Sequence, residues 1–131
     1  MSSSASVELV EELARRFRAG DRDGAAELLH PDFRIQQPGS LPHGGWHRGP
    51  EGMAAMGAAF ARHWDRTIDD PRIHGCGDVV VQVTTQTWTA RQTGRSATVD
   101  VVELFSFADG LIAEIRVFQQ DTHLLLATLD A

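Results

Sequence analysis

With 131 residues, 42% of them apolar, the chain can bury one core and is too short to divide into two domains. Its formal charge of −6 stands against 12 basic residues, all arginine, which never gather into a run able to track a phosphate backbone or an anionic bilayer; neither nucleic acid nor a membrane is an expected partner. One cysteine, Cys76, excludes an internal disulfide, no Cys/His spacing matches a zinc site, and no apolar stretch approaches the roughly 18 residues of a membrane helix, so a single cytoplasmic domain over residues 1–131 is expected.

The serines at the start predict a frayed end over residues 1–5. Val10, Leu13, Ala14 and Phe17 then recur at helical spacing and predict an amphipathic helix ending at Gly20. Asp21 can cap a second helix over Arg22–Leu29, stopped by His30-Pro31 because the residue before proline disfavours α geometry. Phe33–Gln37 alternates as a strand, and Gly39–Gly49 reads as a long glycine-rich loop. Pro50 suits the first turn of a third helix, whose stripe of Met53, Met56, Ala59, Phe60 and His63 extends to about Trp64. From Ile68 the period becomes that of strands, with Val79–Thr89, Ala97–Phe107 and Leu111–Gln119 forming a meander. Helices first and consecutive strands afterwards indicate the α+β class.

Several stretches in this order carry a family likeness: Ala19-Gly20-Asp21 with Ala25–Leu29, Pro31-Asp32-Phe33, Leu41–Gly49, and VVELFSFADGLIAEIRVF over residues 101–118. Across its whole length the chain resembles the SnoaL-like branch of the nuclear transport factor 2-like superfamily, which includes polyketide cyclases, ketosteroid isomerases and limonene epoxide hydrolases. The resemblance implies a cone-shaped half-barrel, three N-terminal helices on a curved, mainly antiparallel sheet, with a pocket for a small apolar organic molecule and neither cofactor nor metal. It also implies a homodimer through the convex sheet face, where Val102, Leu104, Ile112 and Phe118 form an uncovered apolar set.

In the similar enzymes an acid on the penultimate long strand projects into the cone, and its place corresponds to Glu103. The alternation agrees, since Val99, Val101, Glu103, Phe105 and Phe107 share one face and leave a lone carboxyl in an apolar row where burial raises its pKa. Such an acid can donate a hydrogen bond to an enolate or exchange a proton with substrate. Its orientation depends on the next turn. A two-residue Asp109-Gly110 turn sets Glu103 against Arg116 as a structural ion pair, whereas a three-residue Ala108-Asp109-Gly110 loop sets it against Ile115 and puts Ala113, Ile115, Val117 and Gln119 on the pocket face. The second arrangement is expected because it continues the apolar lining.

Gln37 stands where ketosteroid isomerases carry an aspartate base; its amide cannot take that role but can orient a carbonyl, with Ile35 on the same face. That family's tyrosines are missing too, Leu13 and Gly57 standing at the matching positions. His43, Trp46 and His47 belong to the loop as a candidate lid, the two histidines being alternative catalytic bases or solvated turn residues. Met56, Phe60 and His63 would line the pocket from the third helix, and Val101, Phe105, Ile115 and Val117 from the sheet. Trp64 and Trp88 read as packing residues, Asp100 and Asp121 as solvated reserve acids. The expected function is therefore cofactor-free acid/base chemistry of the polyketide cyclase or isomerase type, with a non-enzymatic binding or dimerisation domain and an epoxide hydrolase as alternatives.

Overall fold

The computed structural model describes residues 2–130. Helix α1 spans Ser3–Arg18, capped by Ser2, whose Oγ accepts from the Ala5 backbone N–H at 3.1 Å. Ser2, Ser3 and Ser4 are thus the helix cap and first turn rather than part of a frayed end, while Met1 of that expected end lies outside the described residues. Val10 and Leu13 carry the buried stripe. Asp21 caps α2, which covers only Arg22–Ala26; Leu29, expected inside that helix, already starts strand β1 at Leu29–Gln37. The chain reaches the sheet before the proline because Leu29 pairs with Ile112 of the last strand.

The glycine-rich stretch is not all loop: Gly45–Arg48 forms β2 and pairs antiparallel with β1. Helix α3 covers Gly49–Ala61 with Pro50 in its first turn. It ends before the expected Trp64, because Trp64 begins β3 (Trp64–Ile68), which lies along β5. Strands β4 (Arg72–Cys76), β5 (Val79–Ala90), β6 (Ser96–Ala108) and β7 (Leu111–Gln119) follow, and a short helix α4, Thr122–Ala127, closes the chain. Helix α4 was not anticipated; Asp121, read as a solvated acid, caps it through Oδ1 and the Leu124 N–H. The sheet order is β2-β1-β7-β6-β5-β3, with β4 also on β5, and every pairing is antiparallel except β1 with β7. The helices pack on this curled sheet as a half-barrel, confirming the expected class.

The β6–β7 turn corrects the expected register. Asp109 (φ 53°) and Gly110 (φ 75°) both adopt left-handed backbone, the signature of a two-residue hairpin turn, and Ala108 pairs with Leu111. A bulge follows: Phe107 pairs with Ile112 but Ser106 with Glu114, leaving Ala113 as the extra residue. Glu103 consequently faces Val117, neither Ile115 nor Arg116. The bulge also moves Ile112 from the expected convex face into the core, where it is fully buried.

Candidate active site

Residues of a strand alternate between faces, so each strand sends every second side chain into the cone. From β5 these are Gln82, Thr84, Gln86 and Trp88; from β6 Val101, Glu103 and Phe105; from β7 Ile115, Val117 and Gln119; from β1 Ile35 and Gln37. Helices α1 and α3 supply the facing wall, through Val10, Leu13, Met53, Met56, Gly57 and Phe60 among others. Together they enclose a cavity of about 830 Å³, ample for a polycyclic organic molecule.

Glu103 lies within this wall between Val101 and Phe105, which are 1% and 2% exposed. Its Oε1 accepts from Gln82 Nε2 at 3.1 Å, across a pair of residues in direct register. Burial holds its pKa above the ordinary value of 4.5, outweighing the opposing pull of the Gln82 hydrogen bond and the Arg66 charge. Arg66 enters from β3, in register with the inward-facing Trp88, and its guanidinium lies 4.8 Å from the centroid of the Phe60 ring. Burial depresses its pKa and Glu103 opposes that shift, so the two charges sense one another. They do not form an ion pair, and among the described residues no ion pair includes Arg66.

His43 is 4% exposed and rests in an aromatic nest, its ring centroid 5.3 Å from Phe60, 5.7 Å from Trp88 and 6.1 Å from Trp64. Burial, reinforced by the charges of Arg66, His47 and His63, lowers its pKa to about 4, so the ring is neutral at physiological pH. Among the described residues its Nδ1 is buried without a partner, as are the side-chain oxygens of Gln37, Gln82 and Gln119. Gln37 directs its Nε2 at Met56 Sδ, 3.4 Å away.

Three of the expected pocket residues lie elsewhere. His47 does not line the cavity; its Nε2 donates to the His43 carbonyl at 2.8 Å and so fixes the loop that holds His43. Trp46 is 41% exposed, with the Arg34 guanidinium 4.3 Å above its ring, because β2 turns this residue outward. His63 falls in the turn after α3 and packs on Trp64 at 5.6 Å, since the helix ends too early to carry it inward. Sequence reasoning in turn passed over Arg66, Gln82, Thr84 and Gln86, and it took Trp88, a cavity wall, for packing alone. The available signal was the row Gln82, Thr84, Gln86, Trp88 at period two, disguised because the intervening Val83, Thr85 and Thr87 are no more polar than the row itself.

Among the described residues no group of three His, Cys, Asp or Glu side chains could hold a metal ion, and no helix is long and apolar enough to cross a membrane.

The SnoaL-like domain family matches residues 10–115. The chain belongs to this family. Among solved structures, this SnoaL-like domain is similar to an NTF2-like protein from Burkholderia xenovorans LB400, with 24% identity, 99% of each chain covered and a TM-score of 0.88. It is also similar to TerC co-crystallised with polyporic acid, at 23% identity over 97% of this chain and 99% of that one, with a TM-score of 0.84. A candidate polyketide cyclase from Xanthomonas campestris pv. campestris shares 16% identity over 98% of this chain and 100% of its own, with a TM-score of 0.80. No curated protein matches the chain. These likenesses establish the fold; the chemistry rests on the residues within the cone.

Proposed function

We propose that this SnoaL-like domain is an acid/base enzyme of the polyketide cyclase or isomerase type, acting without a cofactor on an apolar ring compound that carries a carbonyl group. The observation that carries the reading is Glu103, a carboxyl with a raised pKa set in the wall of a deep, mainly apolar cone. In its protonated form Glu103 donates a hydrogen bond to the substrate carbonyl oxygen. It can pass its proton to that oxygen while the neutral His43 ring takes the proton from the neighbouring carbon, and an enol forms. Gln37 and Gln82 orient the substrate through their amides. His43, neutral and with a pKa near 4, is a weak proton acceptor. The substrate C–H must therefore be acidic in its own right, as it is between two carbonyls. The similarity to TerC, crystallised with polyporic acid, and to a candidate polyketide cyclase supports an aromatic or polyketide-like substrate.

An epoxide hydrolase of the Asp-Arg-Asp kind fits less well, because the other carboxyl lining the cone is Asp23, on α2 rather than on the sheet beside Glu103 and Arg66.

The test is proton–deuterium exchange at carbon in a panel of aryl β-diketones, followed by NMR. The wild type should accelerate exchange, and Glu103→Gln should lose roughly 10²-fold or more while affinity changes little. No acceleration by the wild type, or full activity in a folded Glu103→Gln protein, would sink the assignment and leave a binding domain.

A further inference from the structure

The charges facing the cavity do not cancel by contact. Arg18 pairs with Asp70 at 3.5 Å, outside the lining, and Arg22, beside Asp23 on the α2 side of the lining, makes no ion pair among the described residues. Glu103 accepts from Gln82 through Oε1 and makes no ion pair with Arg66, whose guanidinium rests against the Phe60 ring with no carboxylate within ion-pair distance among the described residues. Arg66 is an exposed residue that lines the cone, and a guanidinium there without a carboxylate partner is free to form a charge-assisted hydrogen bond with an incoming oxyanion.

We propose that the cone takes an aromatic ligand bearing a single negative charge on oxygen, an enolate, phenolate or carboxylate, and that Arg66 pairs with this oxygen. The neutral state of His43 agrees, since Arg66 is one of the charges that disfavour its imidazolium. Acceptors elsewhere in the wall, the unpartnered oxygens of Gln37 and Gln119, suit a hydroxyl donor on the same ligand. The inference rests on the cone being the substrate site, as in the function proposed above, but not on Glu103 acting as the acid.

Calorimetric titration at neutral pH tests it with four probes: lawsone, a hydroxynaphthoquinone that is an enolate under these conditions; its neutral methyl ether; naphthoate; and the neutral naphthamide. The wild type should bind each anion about tenfold or more tightly than its neutral counterpart. Arg66→Met should abolish the preference, Arg66→Lys should keep most of it, and Glu103→Gln should retain it. A preference for lawsone alone assigns an enolate, for naphthoate alone a carboxylate. Neutral probes binding as tightly as the anions, or an undiminished preference in Arg66→Met, would overturn the charge assignment and leave the cone standing as a ligand site. Failure of all four to bind would overturn both readings. The wild-type comparison needs no variant to fold.

Discussion

Gln82 Nε2 donates to Glu103 Oε1 at 3.1 Å from the strand position directly opposite, so the carboxyl is held against the β5 wall by a neutral partner. A neutral amide favours ionisation less than a cation would, and burial prevails in raising the pKa of Glu103. The folded protein therefore keeps a proton that the unfolded chain releases above 4.5. This contribution to stability is fully present below that pH and is lost as pH rises through the folded pKa. Urea unfolding across a pH series should show this alkaline decline in the wild type and not in Glu103→Gln. Gln82→Leu, which removes an influence lowering the pKa, should move the decline to higher pH. An identical pH profile in wild type and Glu103→Gln would contradict the burial argument.

His43 sets the opposite limb. Its pKa falls from 6.5 to about 4 on folding, first by burial and then through Arg66, His47 and His63. The stabilisation is present above 6.5 and is lost as pH drops through about 4, a difference of up to about 3 kcal/mol. His43→Phe, which keeps a ring in the aromatic nest, should flatten this acid limb, and an NMR titration of the wild type should place the His43 midpoint near 4. A midpoint close to 6.5 would show that water reaches the ring freely.

How far these residues were legible in the sequence follows from the range of the forces that place them. Glu103 was, because a single acid in the alternating row from Val99 to Phe107 is a local pattern and β6 runs without interruption. Gln37, just before Pro38, ends β1 and stays on the inner face for the same reason. Ile112 was not, since one bulged residue, Ala113, reverses the face of everything before it and no nearby side chain announces it. On β5 the apolar alternation misleads: Val79, Val81 and Val83 point outward and Gln82, Thr84 and Gln86 inward, because the interior there is a polar cavity wall rather than packed core. Arg66 is placed by pairing with a strand more than twenty residues later, Arg66 with Trp88, and such a contact leaves no periodic trace.

The unanticipated α4 is fastened by a buried hydrogen bond, Trp64 Nε1 donating to Thr128 Oγ1 at 2.8 Å, while Thr93 Oγ1 donates to the Thr128 carbonyl at 2.6 Å. Thr128→Val keeps the volume but leaves the indole N–H unpaired, and should cost about 1–3 kcal/mol. Trp64→Phe in the Thr128→Val background should cost less than in the wild type, because the orphaned donor is gone. Denaturant unfolding of the four proteins measures the coupling; additive effects would mean that the bond contributes nothing.

The outer sheet face carries an apolar row. In register across three strands, Val83 meets Val102 and Val102 meets Phe118, while Val81 meets Leu104. Phe118 is 44% exposed, with the Arg116 guanidinium 5.3 Å from its ring. Among the described residues no helix covers this row, since α4 docks on the opposite side through the inward-facing Trp64. An aromatic ring amid aliphatic neighbours on a broad strand surface gains by burial, at roughly 25 cal/mol per Å² of apolar area removed from water. We predict that two copies pair through this face at micromolar concentration. Phe118→Asp, which would bury a carboxylate in the contact, should shift sedimentation from dimer to monomer. The same substitution should leave ligand binding in the cone intact, because Phe118 points away from the cavity while Val117 and Gln119 on either side of it point in. A wild-type protein that sediments as a monomer at these concentrations would refute the pairing, and a Phe118→Asp protein that remains dimeric would move the interface elsewhere on the fold.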